Sequence, residues 1–302
     1  MEILSSLSII PSYNCNFHCE YCYLGKLTYQ KDILPLDIIQ NRLYEIKTKY
    51  DIDRIILFGG EISILNKDYI ENLYNLVKNY NVTFVTNLSQ DWFINYCLTK
   101  NVNLSISLNE ERPEYKKTLQ KLKALKGLKN ICLSVVVLPS LLRKTPKEIL
   151  DFFEELGHNV IFIQYHPSIY CNVDYKILTK DYSTFLINLL KEKHKHPYHF
   201  KIENETILND DTYKSTSDNF LFLNPNGKYS VVQYTPEEKE YYLEFSTLKE
   251  WESFCKNEKA WYKQNCKNCK YFGKCKAEHL VNLNQNNCSG LFNLIEEYQK
   301  IK

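Results

Sequence analysis

Six short runs rich in β-branched and aromatic residues, at 7–11, 54–58, 83–87, 103–108, 131–138 and 160–165, alternate with longer helical patterns. The helical patterns fall at 36–49, 67–79, 89–98, 113–125, 147–156 and 179–193. This alternation constrains the fold more than any other feature, because a strand followed by a crossover helix returns to pair in parallel with its predecessor. Several of the runs are continuously apolar, as strands covered on both faces must be. Six such units predict an α/β fold, a partial (β/α)6 TIM-like barrel open on one side. With 302 residues and 44% hydrophobic content, the chain suffices for one large domain and a small one.

After His194 the sequence turns polar and turn-rich, and 196–219 reads as a linker after a barrel spanning 1–195. A second region, 220–302, opens with two apolar runs flanking Asn224-Pro225-Asn226-Gly227, a hairpin signal, and closes with a helical pattern at 291–301. The 38 basic and 36 acidic residues give a net charge of +2 and lie along the whole length, so no face selects nucleic acid. No segment reads as a signal peptide or a membrane span, so no membrane partner is expected and the cytoplasm is the expected compartment. There the 11 cysteines are expected to ligate metal rather than form disulfides. The first strand begins near residue 7, so no N-terminal leader-binding module is expected.

Seven cysteines form two groups. Cys15, Cys19 and Cys22 follow the first predicted strand directly, at the strand end where barrel folds carry their chemistry. Three thiolates can each take one iron of a cubane and leave the fourth iron open to a substrate. A zinc site completed by His18 fits less well, since His18 is the immediate neighbour of Cys19 and paired knuckles are missing.

CxxxCxxC with Tyr21 before the third cysteine resembles the signature of the radical S-adenosylmethionine superfamily. Phe58-Gly59-Gly60-Glu61 resembles the GGE motif of that family, Thr86-Asn87 its TNG element with Leu88 in place of glycine, and Ser105-Ile106-Ser107-Leu108 its strand-four element. The resemblance, over about residues 7 to 195, implies a 4Fe-4S cluster on the three cysteines with S-adenosylmethionine on its open iron. It further implies cofactor contacts from Tyr21, Gly59, Gly60, Glu61, Asn87 and Ser107, and a flavodoxin- or ferredoxin-type electron donor. Reductive cleavage of the cofactor would then yield a 5′-deoxyadenosyl radical that abstracts a substrate hydrogen. The glycines are expected to let the backbone approach the ligand closely.

Cys266, Cys269, Cys275 and Cys288 are a complete four-thiolate set, which suits either a cubane or zinc. The stretch resembles the SPASM/twitch domain of radical enzymes that mature peptides, in a reduced form. The resemblance implies one auxiliary 4Fe-4S cluster here, of structural or remote-relay role, while Val232 and His279 stand where cysteines of the inner cluster are expected.

Cys171, after the sixth strand, is a candidate hydrogen donor to a substrate radical or else a small buried hydrophobe, and His166 is a candidate acid or base or else a solvated loop residue. Cys97, Cys132 and Cys255 read as packing residues. The favoured function is modification of a ribosomally made peptide, by epimerisation or cross-linking. The alternatives are a dehydrogenase or rearrangement enzyme acting on a small metabolite, and a non-catalytic zinc protein.

Overall fold

The computed structural model describes residues 1–210, 217–232, 241–272 and 292–301. A short strand β1 (Glu2–Leu4) leads into β2 (Ser6–Ile9), and α1 (Leu36–Lys47) and β3 (Tyr50–Ile52) lead into β4 (Arg54–Leu57). Four further βα steps follow: α2 (Lys67–Val77) to β5 (Asn81–Thr86), α3 (Asp91–Lys100) to β6 (Asn103–Ser107), α4 (Tyr115–Ala124) to β7 (Ile131–Val136), and α5 (Pro139–Leu142) with α6 (Pro146–Leu156) to β8 (Asn159–Ile163). Helices α7 (Thr179–Lys193) and α8 (Glu203–Asn209) complete this part.

The six expected strands pair in parallel and in chain order, β2-β4-β5-β6-β7-β8. Leu7, Leu57, Phe84, Ile106, Leu133 and Val160 of successive strands are buried in one core. The helices carry their own stop and start signals. Asn66 caps α2 through Asp68 N at 2.8 Å, and Thr145 with Glu148 closes a capping box ahead of Pro146.

Two features differ from the sequence reading. The stretch 196–219 holds α8, and Asn204 on that helix is buried and bonds both the amide and the carbonyl of Phe162 on β8, each at 2.8 Å. The predicted hairpin, β9 (Phe220–Leu223) and β10 (Tyr229–Val232), gains a third strand β11 (Tyr242–Phe245), and β9 pairs in parallel with β2. The hairpin thus extends the barrel strands into one nine-stranded sheet, at the side a six-stranded barrel leaves open. Arg42 on α1 fastens it by donating to Gly227 O at 3.1 Å and Ser246 O at 3.2 Å, with its guanidinium 4.8 Å from the Tyr229 ring centre. Helices α9 (Leu248–Asn265) and α10 (Phe292–Ile301) follow.

Candidate active site

The loop after β2 is fixed by backbone before any side chain acts. Cys15 N donates to Thr28 O at 3.0 Å, Cys22 N to Cys19 O at 3.0 Å and Gly25 N to Cys22 O at 2.9 Å. The segment after β4 pairs alongside, Gly60 N to Ser12 O at 3.0 Å and Glu61 N to Asn14 O at 2.8 Å. A Cβ on Gly59 would stand 2.3 Å from Ser12 O, and one on Gly60 2.1 Å from Asn14 O. The missing side chains therefore admit the cysteine loop itself. Gly59 also has a φ of +149°, which side chains rarely adopt.

The three cysteines pack around one small core of Phe17, Tyr21, Leu138 and Tyr165, at the carboxyl ends of β2, β7 and β8. Burial pushes the Cys15 thiol up to about 12, with Glu61 and Cys22 adding to it, and burial likewise raises Cys19 and Cys22. Burial raises Cys97, Cys132 and Cys255 in the same way, so it is the grouping of the three thiols that marks this loop. His18 turns away, exposed and stacked on Tyr29 with ring centres 4.1 Å apart, its Nδ1 3.1 Å from Thr28 Oγ1. Among the described residues no three His, Cys, Asp or Glu converge as ligands of a single ion would. A cubane has no such requirement, because each thiolate meets a separate iron, and the donor set fits it.

Glu61 is 3% exposed, and its carboxylate accepts from Ser63 N at 3.0 Å, Thr86 Oγ1 at 2.7 Å and Asn87 N. Three protein donors thus engage the side chain expected to meet an amino group, and it ties the ends of β4 and β5 together. Asn87 is buried, with Nδ2 on Asn16 Oδ1 at 2.9 Å and Oδ1 accepting from Ser89 N at 2.9 Å. Leu88 has φ 63°, so the left-handed backbone that glycine takes easily is kept here by leucine. Ser107 ends β6, half-buried, at the same end of the sheet.

Sequence reasoning missed the loop after β6. Arg112 N donates to Asn109 O at 3.1 Å, and Asn109 Oδ1 accepts from the Tyr21 hydroxyl at 3.3 Å and Val136 N at 3.2 Å. The Arg112 guanidinium lies 5.9 Å from the Phe17 ring centre. Beside it, Glu111 Oε2 is sealed from solvent and accepts no hydrogen bond. The signal was present, since Asn109-Glu110-Glu111-Arg112 is a polar run directly at the carboxyl end of a barrel strand.

In the loop after β8, Cys171 Sγ accepts from Ser168 N at 3.2 Å and donates toward Tyr21 O at 3.8 Å. It thereby abuts the cysteine loop. His166 is half-buried earlier in the same loop. Cys266 and Cys269 form a turn after α9, whereas Cys275, Cys288 and His279 lie outside the described residues. Val232 is 4% exposed and packs with Ile10, Leu24 and Tyr242, while Tyr23 stacks on Tyr241 at 4.0 Å. Apolar and aromatic side chains occupy that position. Cys97 and Cys255 are buried in the main core and Cys132 is half-buried on β7, as packing residues should be.

Residues 9–157 match the Radical SAM superfamily model. A candidate glycyl-radical enzyme activating enzyme of Methanocaldococcus jannaschii is 33% identical over 76 residues, a match that spans 25% of this chain and only 28% of that relative. The structure of anSMEcpe with bound AdoMet superposes with a TM-score of 0.70 at 19% identity, over 98% of this chain and 95% of that one. Streptococcus suis SuiB bound to S-adenosylmethionine gives 0.67 at 15% identity, over 93% and 74%. These two likenesses establish a shared fold. No described helix is long and apolar enough to cross a membrane. Residues 9–157 are thus similar to the Radical SAM superfamily, and a shared fold extends over nearly the whole chain.

Proposed function

We propose that the chain is a radical S-adenosylmethionine enzyme that epimerises or cross-links a ribosomally made peptide. The observation that carries this reading is the convergence of the buried Cys19 and half-buried Cys15 and Cys22 thiols with the Gly59-Gly60-Glu61 and Thr86-Asn87 segments at one end of the parallel sheet. Cys15, Cys19 and Cys22 would hold a 4Fe-4S cluster, and the backbone around Gly60 and Asn87, with Ser107, would hold S-adenosylmethionine beside it. When bound, the cluster and S-adenosylmethionine supply a one-electron cleavage of the S–C5′ bond, and the resulting primary radical takes a substrate hydrogen.

The chain's residues orient the substrate and exclude water. Cys171 stands against the cysteine loop, where its S–H can return a hydrogen atom to a peptide Cα radical from the opposite face. The thiyl left on Cys171 is reduced by one electron and one proton, the electron coming from the flavodoxin- or ferredoxin-type donor. The peptide class is supported by the fold likeness to anSMEcpe and SuiB, which have also been solved with the Cp18Cys peptide and the precursor peptide SuiA. The aromatic packing around Val232 favours epimerisation, which leaves no electrons to be taken from the substrate, over a cross-link that needs an acceptor there.

The test is anaerobic turnover in deuterated water with peptides encoded in short neighbouring reading frames. Epimerisation predicts 5′-deoxyadenosine together with one non-exchangeable deuterium at a Cα, and C171A abolishes that incorporation while 5′-deoxyadenosine still forms. A product lighter by two hydrogens, or deuterium incorporation unchanged in C171A, contradicts the epimerase reading. Turnover of a sugar or nucleotide in place of any peptide contradicts the peptide class.

A further inference from the structure

Arg112 has no place in the scheme above, yet its amide and its guanidinium are both held beside the cysteine loop. Its amide closes a turn on Asn109 O at 3.1 Å. That turn is held in place from both sides, because Asn109 Nδ2 donates to Val136 O at 2.7 Å and its Oδ1 accepts from the Tyr21 hydroxyl at 3.3 Å. The guanidinium lies 5.9 Å from the ring of Phe17, the residue between Cys15 and Cys19 whose own amide donates to Cys15 Sγ at 3.3 Å.

We propose that Arg112 is the fixed counter-charge of the iron–sulfur cluster and holds its reduction potential up. The proposal rests on Cys15, Cys19 and Cys22 holding that cluster. Three thiolates leave such a site with net negative charge in both oxidation states, and reduction adds one more electron. A cation held nearby in a partly desolvated loop favours the reduced state, since cluster potential responds to net charge and burial. Burial alone works against the Arg112 charge, but the Tyr21 phenol and the Cys19 and Cys15 thiols hold its pKa above the ordinary arginine value. No carboxylate is among those groups. The guanidinium lies against the Phe17 ring and the Tyr21 phenol, within electrostatic reach of the Cys19 and Cys15 thiols.

The test is an anaerobic redox titration of the reconstituted protein, read by the paramagnetic signal of the reduced cluster, on wild type, R112K and R112Q. R112Q is expected to lower the reduction equilibrium constant at least tenfold, a shift of about 59 mV to more negative potential for one electron. R112K keeps the charge and is expected to stay within about threefold of wild type, roughly half that shift or less. An R112Q protein with wild-type iron content and an unshifted potential overturns the proposal. If R112Q fails to load a cluster, loading of R112K supports a role for charge, and failure of both overturns it. Wild-type protein that binds no iron defeats the cluster reading itself, an outcome distinct from a bound cluster indifferent to residue 112.

Discussion

Cys15, Cys19 and Cys22 lie in a loop that the chain fixes from several sides, by Thr28 O, by the Gly60 and Glu61 amides and by a core of Phe17, Tyr21 and Tyr165. Cys266 and Cys269 instead lie in two consecutive turns after the 18-residue helix α9, Cys269 N to Cys266 O and Phe272 N to Cys269 O, each at 2.9 Å, with exposed Lys267 and Lys270 beside them. Both groups looked like metal sites in the sequence. The difference lies in how much of the described fold each one shapes: the first requires two glycines and a buried carboxylate on neighbouring strand ends, and among the described residues no comparable requirement surrounds the second pair. On the proposed function the reactive centre belongs to the first group, and the second is proposed to have a bracing or remote electron-transfer role.

The sharpest way to break this comparison is to remove the thiols. Alanine at Cys15, Cys19 or Cys22 should cost about four irons per chain and all formation of 5′-deoxyadenosine, whereas C269A should leave those four irons and the cleavage in place. Iron analysis with chromatography of the adenosyl product reads both; equal losses from the two groups would erase the distinction. Next in size, G60A puts a methyl group 2.1 Å from Asn14 O, so the loop must shift, and a loss of about 1–3 kcal/mol in urea unfolding is expected along with reduced iron loading.

The buried clamp comes next. E61Q turns one acceptor oxygen into a donor facing a donor, and about 1–3 kcal/mol should be lost while β4 and β5 stay paired. Leu88 offers a ranking. Leu88→Ala loses the buried side chain and keeps the left-handed strain, while Leu88→Gly loses the side chain and relieves about 1 kcal/mol of strain, so the glycine variant should be the more stable of the two. The smallest effect lies away from both cysteine groups. Burial lowers the pKa of His158, whose Nε2 sits 3.2 Å from Leu122 O, below its ordinary 6.5. The unfolded chain then binds the proton more readily. Its contribution is complete above that ordinary value and declines as pH falls below it toward the depressed folded value, and H158Q should flatten this slope in metal-free protein.

The six parallel strands were legible because continuous apolar runs separated by amphipathic helices leave few other pairings, and α7 spans the very residues that the periodicity marks. Helix α9 was not, because lysines and aromatics scatter around it with no clear stripe. The short pair β1 and β3 was missed for want of length, at three residues each. At the site, the cysteine spacing and Gly59-Gly60-Glu61 could be read from residue type alone. That the glycines face the cysteine loop, and that Glu61 is engaged by Thr86 and Asn87, depends on which strand ends become neighbours, and parallel register is not written in any one segment. Arg112 was hidden for the same reason, since a charge following Glu110 and Glu111 reads as solvated surface until Phe17 is placed beneath it.

The central claim is that the cluster on Cys15, Cys19 and Cys22 keeps one iron free for the cofactor. Its most direct test is the electron paramagnetic resonance spectrum of the dithionite-reduced C269A protein, recorded before and after adding S-adenosylmethionine, with 5′-deoxyadenosine measured in the same samples. A spectrum that changes on addition and a product that then accumulates are the predicted result. An unchanged spectrum with no product, from protein carrying its full iron, would contradict the account.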